Sequence, residues 1–118
     1  MNTEAAFSLG RAGYAFRVLN SNFSLQYIFS DDVITDLVLT DVDNNVESFV
    51  IPEGVTIIGE HAFENCSLLS DITIPDTVPQ IEKCAFFNCC SLTDIIIPDS
   101  VTSICSEAFY GCSNLESM

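Results

Sequence analysis

Apolar residues return at a fixed long interval in the second half of the chain. The dipeptide Ile-Pro begins at Ile51, Ile74 and Ile97, and consecutive copies lie 23 residues apart. The three segments align without a gap, and eight columns are identical in all of them. These columns are Ile51/Ile74/Ile97, Pro52/Pro75/Pro98, Val55/Val78/Val101, Ile58/Ile81/Ile104, Ala62/Ala85/Ala108, Phe63/Phe86/Phe109, Cys66/Cys89/Cys112 and Leu69/Leu92/Leu115. Such repetition predicts stacked turns in which each column runs as a ladder through the core.

Each repeat divides into a strand, a return and a turn. Leu69-x-x-Ile72-x-Ile74 predicts a short strand with alternate residues inward, and the following proline ends it. The same pattern recurs from Leu92 and, with Val and Phe substituted, from Val46. Val55 and Ile58 then predict an irregular return, and residues 59–66 predict a short helical turn. The column Asn65/Asn88/Gly111 supplies the positions that would end this turn.

These columns carry a family resemblance. The unit L-x-x-I-x-I-P-x-x-V-x-x-I-x-x-x-A-F-x-x-C resembles the BspA-type leucine-rich repeat, and the match covers residues 46–118, about three fifths of the chain. The resemblance implies an α/β fold: a right-handed leucine-rich-repeat solenoid, mostly β and irregular with short helical turns. It further implies a short parallel sheet on the concave side.

The first 45 residues do not repeat. We expect residues 21–45 to form an N-terminal β cap, because Phe23–Phe29 and Val33–Leu39 have strand character. Residues 26–51 are interpreted as a meander of two or three strands, with loops at Ser30–Asp32 and Asp41–Asn45. The pattern of residues 1–20 assigns no structure. Residues 46–118 form about three repeats, and the last one stops within a strand. This pattern predicts either a fragment of a longer array or an open end that meets another chain. The other chain could be a second copy, in end-to-end self-association.

Composition narrows the function classes. Among 118 residues, 17 are acidic and three are basic, for a formal charge of −14, and 48% are apolar. The apolar content excludes a disordered acidic tail, and the lack of cations excludes nucleic acid as a partner and disfavours an anionic membrane. No apolar run approaches the roughly 18 residues of a membrane span, so no membrane insertion is expected. Because residues 18–118 contain one basic side chain, Lys83, stability must come mainly from apolar burial.

The six cysteines are a weak signal for a metal site or a disulfide chain. Cys66, Cys89 and Cys112 share one column, and single thiols in a ladder do not bring four metal ligands together, so they are interpreted as small buried hydrophobes. Cys84, Cys90 and Cys105 lie in other columns as half-exposed variations, and one disulfide among them stays open.

Two further patterns are also interpreted without a catalytic or metal role. His61, Cys84 and Glu107 share a column in a formal nucleophile arrangement, but no oxyanion donors accompany them, which favours a solvent-facing histidine. Asp41-x-Asp43-x-Asn45 lacks the glycine and glutamate of an EF-hand, so an ordinary turn is expected. The sequence therefore predicts no catalytic residue, no metal site and no cofactor.

The acidic residues fall into columns of their own. Glu53, Asp76 and Asp99 follow each Ile-Pro, and a second set lies opposite the core on the strands. We call the latter the contact strip: Glu47, Ser48, Ser70, Asp71, Thr73, Thr93 and Asp94. Its acidity predicts a protein partner with a basic contact surface.

The leading hypothesis is a non-enzymatic protein-binding module, and the resemblance implies adhesion or surface interaction with a cell-surface or secreted location. The chain nevertheless begins without the basic segment of a signal peptide. The alternative is an intracellular leucine-rich-repeat scaffold or signalling adaptor in the cytoplasm. An enzyme using His61 and Cys84 and a purely structural spacer are weaker hypotheses.

Overall fold

The computed structural model describes residues 4–6, 15–19 and 22–116. Nine strands lie in this part of the chain, which contains no helix. They are β1 (Glu4–Ala6), β2 (Ala15–Leu19), β3 (Phe23–Ser30), β4 (Val33–Val42), β5 (Ser48–Val50), β6 (Ile57–Ile58), β7 (Asp71–Thr73), β8 (Gln80–Ile81) and β9 (Ser103–Ile104). A seven-stranded sheet has the order β1-β2-β3-β4-β6-β8-β9, and β5 and β7 form a separate two-stranded sheet.

The first four strands pair antiparallel, and β4 then pairs in parallel with β6. The β3–β4 hairpin turns at Asp31 and Asp32, whose φ angles of 52° and 65° match a two-residue turn that needs positive φ at both positions. The strands predicted at Phe23–Phe29 and Val33–Leu39 are confirmed. Because β4 continues through Val42, the loop predicted to begin at Asp41 instead begins after Val42.

A second ladder of strands was missed by the sequence reasoning. Ile58 pairs with Ile81, which pairs with Ile104, so β6, β8 and β9 are parallel neighbours offset by one repeat. The irregular return predicted around Val55 and Ile58 is therefore wrong in part. Each strand has two residues, too few to show an alternating pattern, and the pairing is set by backbone contacts between neighbouring repeats.

The strand predicted from the Ile-Pro pattern is shorter than expected. In the first two copies it forms β5 and β7, which pair in parallel as Ser48↔Asp71, Phe49↔Ile72 and Val50↔Thr73. In the third copy only a single bridge residue, Asp94, remains. The parallel sheet implied by the family resemblance is thus present, although its strands are three residues long at most in this column.

The predicted helical turn does not form. Residues 60–65 are turns, and both His61 and Asn65 have positive φ, at 61° and 64°. The second and third repeats place Cys84, Asn88, Glu107 and Gly111 in the same conformation, with φ between 56° and 83°. Two left-handed residues four positions apart are incompatible with an α-helix, which needs φ near −63° throughout.

The core contains the predicted ladders together with Leu25 of β3 and Leu37, Leu39 and Val42 of β4. Phe63 and Phe86 are both 0% exposed, and their rings stack with centroids 4.8 Å apart. Phe86 stacks in turn on Phe109 at 5.1 Å, while Phe49 contacts Phe63 edge-on at 5.5 Å. No polar or charged side chain is buried between residues 22 and 116, consistent with stability from apolar burial.

Candidate protein-binding face

All seven residues of the contact strip are exposed. Pairing of β5 with β7 sets Ser48 beside Asp71. The backbone N–H of Ser70 donates to the carbonyl of Glu47 at 2.9 Å, which places these two residues side by side in the neighbouring column. Thr93 accepts a backbone hydrogen bond from Glu116 at 2.7 Å, so this column continues into the third repeat. The structure therefore orders the strip as columns that cross neighbouring repeats.

Strand alternation explains why these side chains point outward. Phe49 and Ile72 occupy the middle of β5 and β7 and pack into the core, Ile72 being buried and Phe49 half-buried. Their neighbours on either side must then lie on the opposite face of the sheet. Apolar burial of the middle residue is thus what positions Ser48 and Asp71 toward solvent.

The strip also borders exposed aliphatic side chains that the sequence reasoning left out. Val50 and Ile96 are 71% and 83% exposed, and they share a column with Thr73. The alternation that selected Thr73 also selects both of them, so the signal was present in the sequence. The candidate face therefore combines carboxylates, hydroxyls and exposed aliphatic groups, a mixture that suits contact with another protein.

The carboxylates of this face have no basic partner within residues 22–116. Lys83 is the sole Lys or Arg in that range, and the ion pair found there joins His61 Nδ1 to Glu64 Oε1 at 3.2 Å, away from the strip. Glu47, Asp71 and Asp94 are each exposed. Their charges are available to a cation on a partner.

The His61 column does not assemble a nucleophile. His61 is exposed and is held by Glu64 of its own turn, as expected for a solvent-facing histidine. Cys84 is buried rather than half-exposed, and its Sγ lies 3.7 Å from Glu107 Oε1. Burial, followed by the charge of Glu107, raises the pKa of Cys84 above that of an ordinary thiol. A raised pKa opposes formation of the thiolate that nucleophilic catalysis requires.

In the cysteine ladder, Cys66 and Cys89 are buried as predicted and Cys112 is half-buried, and the ladder has a role that the sequence did not suggest. Cys89 Sγ donates to the carbonyl of Phe63 at 3.2 Å, and Cys112 Sγ donates to the carbonyl of Phe86 at 3.0 Å. Burial, followed by the charges of Asp41 and Asp43, raises the pKa of Cys66 to about 11. The pKa of Cys89 is raised by its hydrogen bond to the Cys112 thiol and by burial. All six cysteines are free thiols in the structure.

The aspartate-rich loop after β4 is an ordinary turn. Asn45 N–H donates to Asp43 Oδ1 at 3.0 Å, as in an Asx turn. Within the described residues no three His, Cys, Asp or Glu side chains are grouped in a way that could hold a metal ion. The same part of the chain contains no helix with the length and apolar character needed to cross a bilayer.

Comparison with solved structures shows the relationship of this fold to bacterial repeat proteins. A leucine-rich cell surface protein from Faecalibacterium prausnitzii A2-165 is similar, with a TM-score of 0.55 and 25% identity over 82% of this chain. The chain spans 33% of that protein's length. A leucine-rich repeat protein from Bacteroides capillosus has a TM-score of 0.55 and 23% identity, covering 77% of this chain and 93% of its own. Another from Bacteroides ovatus has a TM-score of 0.51 and 24% identity, covering 99% of this chain and 40% of its own.

The sequence itself gives the family. No curated protein matches the chain. The family model for the BspA-type leucine-rich repeat region matches residues 25–118 as six copies, and so extends further toward the N-terminus than the repeats at 46–118. Leucine-rich repeats typically mediate protein–protein interaction and are generally non-enzymatic. Since the match covers most of the chain, this protein belongs to the BspA-type leucine-rich repeat family.

Proposed function

We propose that the chain is a non-enzymatic protein-binding module that uses the contact strip, together with Val50 and Ile96, to hold a partner with basic and apolar side chains. The observation that carries this proposal is the ordered set of exposed carboxylates without a basic neighbour within residues 22–116. A basic partner surface would neutralise these charges, and the exposed aliphatic groups would bury apolar area in the same contact.

We also propose that the repeats stack as a right-handed solenoid. Its concave side bears β5, β7 and the contact strip, and residues 21–45 act as the N-terminal cap. The similar Faecalibacterium protein is described as a cell surface protein, which supports adhesion or surface interaction as the setting. The cap assignment is supported by β4, which pairs with β6 in the way that β6 pairs with β8.

The experiment uses a charge reversal with a matched control. Asp71→Lys combined with Asp94→Lys changes the strip, while Asp76→Lys combined with Asp99→Lys makes the same charge change in the exposed column after Ile-Pro. The probe is a synthetic peptide of alternating lysine and valine, and its Kd is measured by calorimetry at low and high salt. We expect the strip variant to weaken binding at least about tenfold and the control variant to weaken it far less.

Equal losses in the two variants would contradict the proposal, because they would show that the peptide responds only to total charge. Binding that does not weaken as salt rises would contradict the electrostatic part. Circular dichroism of both variants checks that the fold is retained, since all four positions are exposed and substitution there should cost little stability.

A further inference from the structure

The antiparallel strands cover the start of one strand ladder and leave the start of the other uncovered. β4 pairs in parallel with β6, the first strand of the ladder β6–β8–β9, and Ile58 of β6 is 0% exposed. β5 is the first strand of the second ladder, and within the described chain it pairs with β7 alone. The strands that precede it, β3 and β4, both belong to the seven-stranded sheet. We call the side of Ser48, Phe49 and Val50 that faces away from β7 the β5 edge.

The backbone of β5 directs two of its residues toward this edge. In a parallel ladder, successive residues direct their N–H and C=O groups to opposite sides of the strand. Ile51 N–H donates to the carbonyl of Thr73 at 3.0 Å, so Thr73 directs its polar groups toward β5. Val50 occupies the place of Thr73 one repeat earlier, and Ser48 occupies that of Asp71. The N–H and C=O groups of Ser48 and Val50 therefore point away from β7, and they have no hydrogen-bond partner among the described residues.

The side chains at the β5 edge are also less covered than their counterparts in the next repeat. On the core side, Val46 and Phe49 are half-buried, whereas Leu69 and Ile72 in the same columns are buried. On the opposite side, Val50 is 71% exposed. A strand placed beside β5 would therefore meet apolar groups on both faces of the sheet as well as unpaired backbone groups.

Charge decides what kind of strand can be added here. Glu47 and Asp71 are exposed carboxylates, the first next to Ser48 in sequence and the second beside Ser48 across the ladder. A second copy aligned edge to edge would bring its own Glu47 and Asp71 to the same place, and like charges on paired strands destabilise the pairing. A peptide strand with lysine on the carboxylate side and valine on the core side offers the opposite charge and packs beside Phe49.

We propose that the β5 edge binds an extended, basic segment of the partner protein by β-strand addition, with main-chain hydrogen bonds to Ser48 and Val50. In this mode of recognition the main chain supplies affinity and the alternating side chains supply specificity. The inference rests on the proposed binding function and adds how the partner is held. That function by itself requires only side-chain contacts with the strip.

Amide hydrogen exchange in the chain without a peptide tests the edge directly. By NMR, the amides of Ser48 and Val50 should have protection factors at least about tenfold lower than that of Thr73, whose strand is paired with β5. Equal protection of the three amides would overturn the proposal, because another segment or a second copy would then already cover the edge.

Methylated forms of the alternating lysine–valine peptide test the hydrogen bonds of the added strand. One form has a methyl group on the main-chain nitrogen of every lysine and the other on that of every valine, so both keep all side chains and charges. Only one set of residues in an added strand directs its N–H groups toward β5: the lysines if the strand is antiparallel, and the valines if it is parallel. We expect one form to lose at least about tenfold in affinity and the other to lose far less.

The unmodified peptide should also slow exchange of the Ser48 and Val50 amides. Equal affinities of the two methylated peptides, or binding of the unmodified peptide without this protection, would overturn strand addition and leave the proposed function intact. Failure of the unmodified peptide to bind would overturn the proposed function and this inference together.

Discussion

Phe63 and Phe86 are 23 residues apart in sequence and stack with their ring planes inclined by 7°. Both are completely buried, and Phe109 continues the stack at 5.1 Å from Phe86. Phe86 therefore has an aromatic neighbour on each side, whereas Phe109 has one, on the Phe86 side. Removal of the Phe86 ring should therefore cost more stability than removal of the Phe109 ring, because it opens a cavity inside the ladder.

Phe86→Ala is expected to lower the free energy of unfolding by about 3–5 kcal/mol, the usual cost of removing a buried aromatic side chain. Phe109→Ala should cost less, since Phe109 is only half-buried. Urea denaturation of both variants measures the difference. A loss at Phe109 as large as that at Phe86 would show that burial within the ladder does not set the contribution.

Glu107→Gly should stabilise the chain slightly, by up to about 1 kcal/mol. Glu107 is exposed and has a φ of 62°, a conformation that costs an L-residue roughly 1–2 kcal/mol and costs glycine little. Ser106→Gly is the control, because Ser106 is also exposed but is not among the positive-φ residues, so glycine there adds only unfolded-state entropy. Thermal unfolding that shows the same change in both variants would contradict the account of the turn.

Gly59→Ala should destabilise the contact between the first repeat and β4. A Cβ at Gly59 would lie 2.8 Å from the backbone oxygen of Leu39, and backbone cannot move away as a side chain can. Later repeats carry Glu82 and Cys105 in this column. We expect a loss of about 1–3 kcal/mol in urea unfolding. The control is Cys105→Ala, which should cost clearly less, and an equal loss would count against the close approach of β4.

Stability should fall in alkaline solution because Cys66 keeps its proton in the folded chain. Its pKa is about 11 when folded, whereas an unfolded thiol titrates near about 8.5. Unfolding therefore releases a proton between these pH values, and the free energy of unfolding falls by about 1.4 kcal/mol per pH unit within that window. Below about pH 8 this contribution is fully present.

The measurement is urea unfolding from pH 7 to 10.5 for the chain and for Cys66→Ala, each referred to its own value at pH 7. That reference removes the cost of truncating the side chain. The variant should show a shallower decline, with the remaining slope set by Cys84 and Cys89, whose pKa values are raised, against Cys112, whose lowered pKa acts in the opposite direction. Identical slopes would show that Cys66 titrates alike in the folded and unfolded chains.

Replacing the exposed aliphatic groups beside the contact strip should separate binding from folding. Val50→Ser with Ile96→Ser removes side chains that are 71% and 83% exposed, so the free energy of unfolding should change by less than about 1 kcal/mol for the pair. Affinity for the lysine–valine peptide should fall, because apolar area is lost from the contact. Unchanged affinity would show that only the charged groups of the candidate face contribute to peptide binding.

The repeats were predictable from the sequence, since eight apolar, cysteine or proline columns at one spacing admit a single register. That register placed Phe86 and Cys89 in the core and the contact strip at the surface, and the structure agrees on both positions. The strip's role in binding stays a prediction. Val50 and Ile96 were missed because aliphatic residues on a strand are ordinarily assigned to the core.

Contacts between repeats decided the rest. His61, Cys84 and Glu107 have no shared preference for positive φ, yet all three adopt it. In the first two repeats this turn directs the N–H groups of Phe63 and Phe86 to the next repeat instead of into a helix. The two-residue strands exist only as paired neighbours, so no local pattern could reveal them. The sequence by itself determined most of the buried side chains, because burial follows from apolar periodicity. Only the tertiary structure decided the backbone path between them, because that path is set by hydrogen bonds to residues of the neighbouring repeat, 22 to 24 positions away.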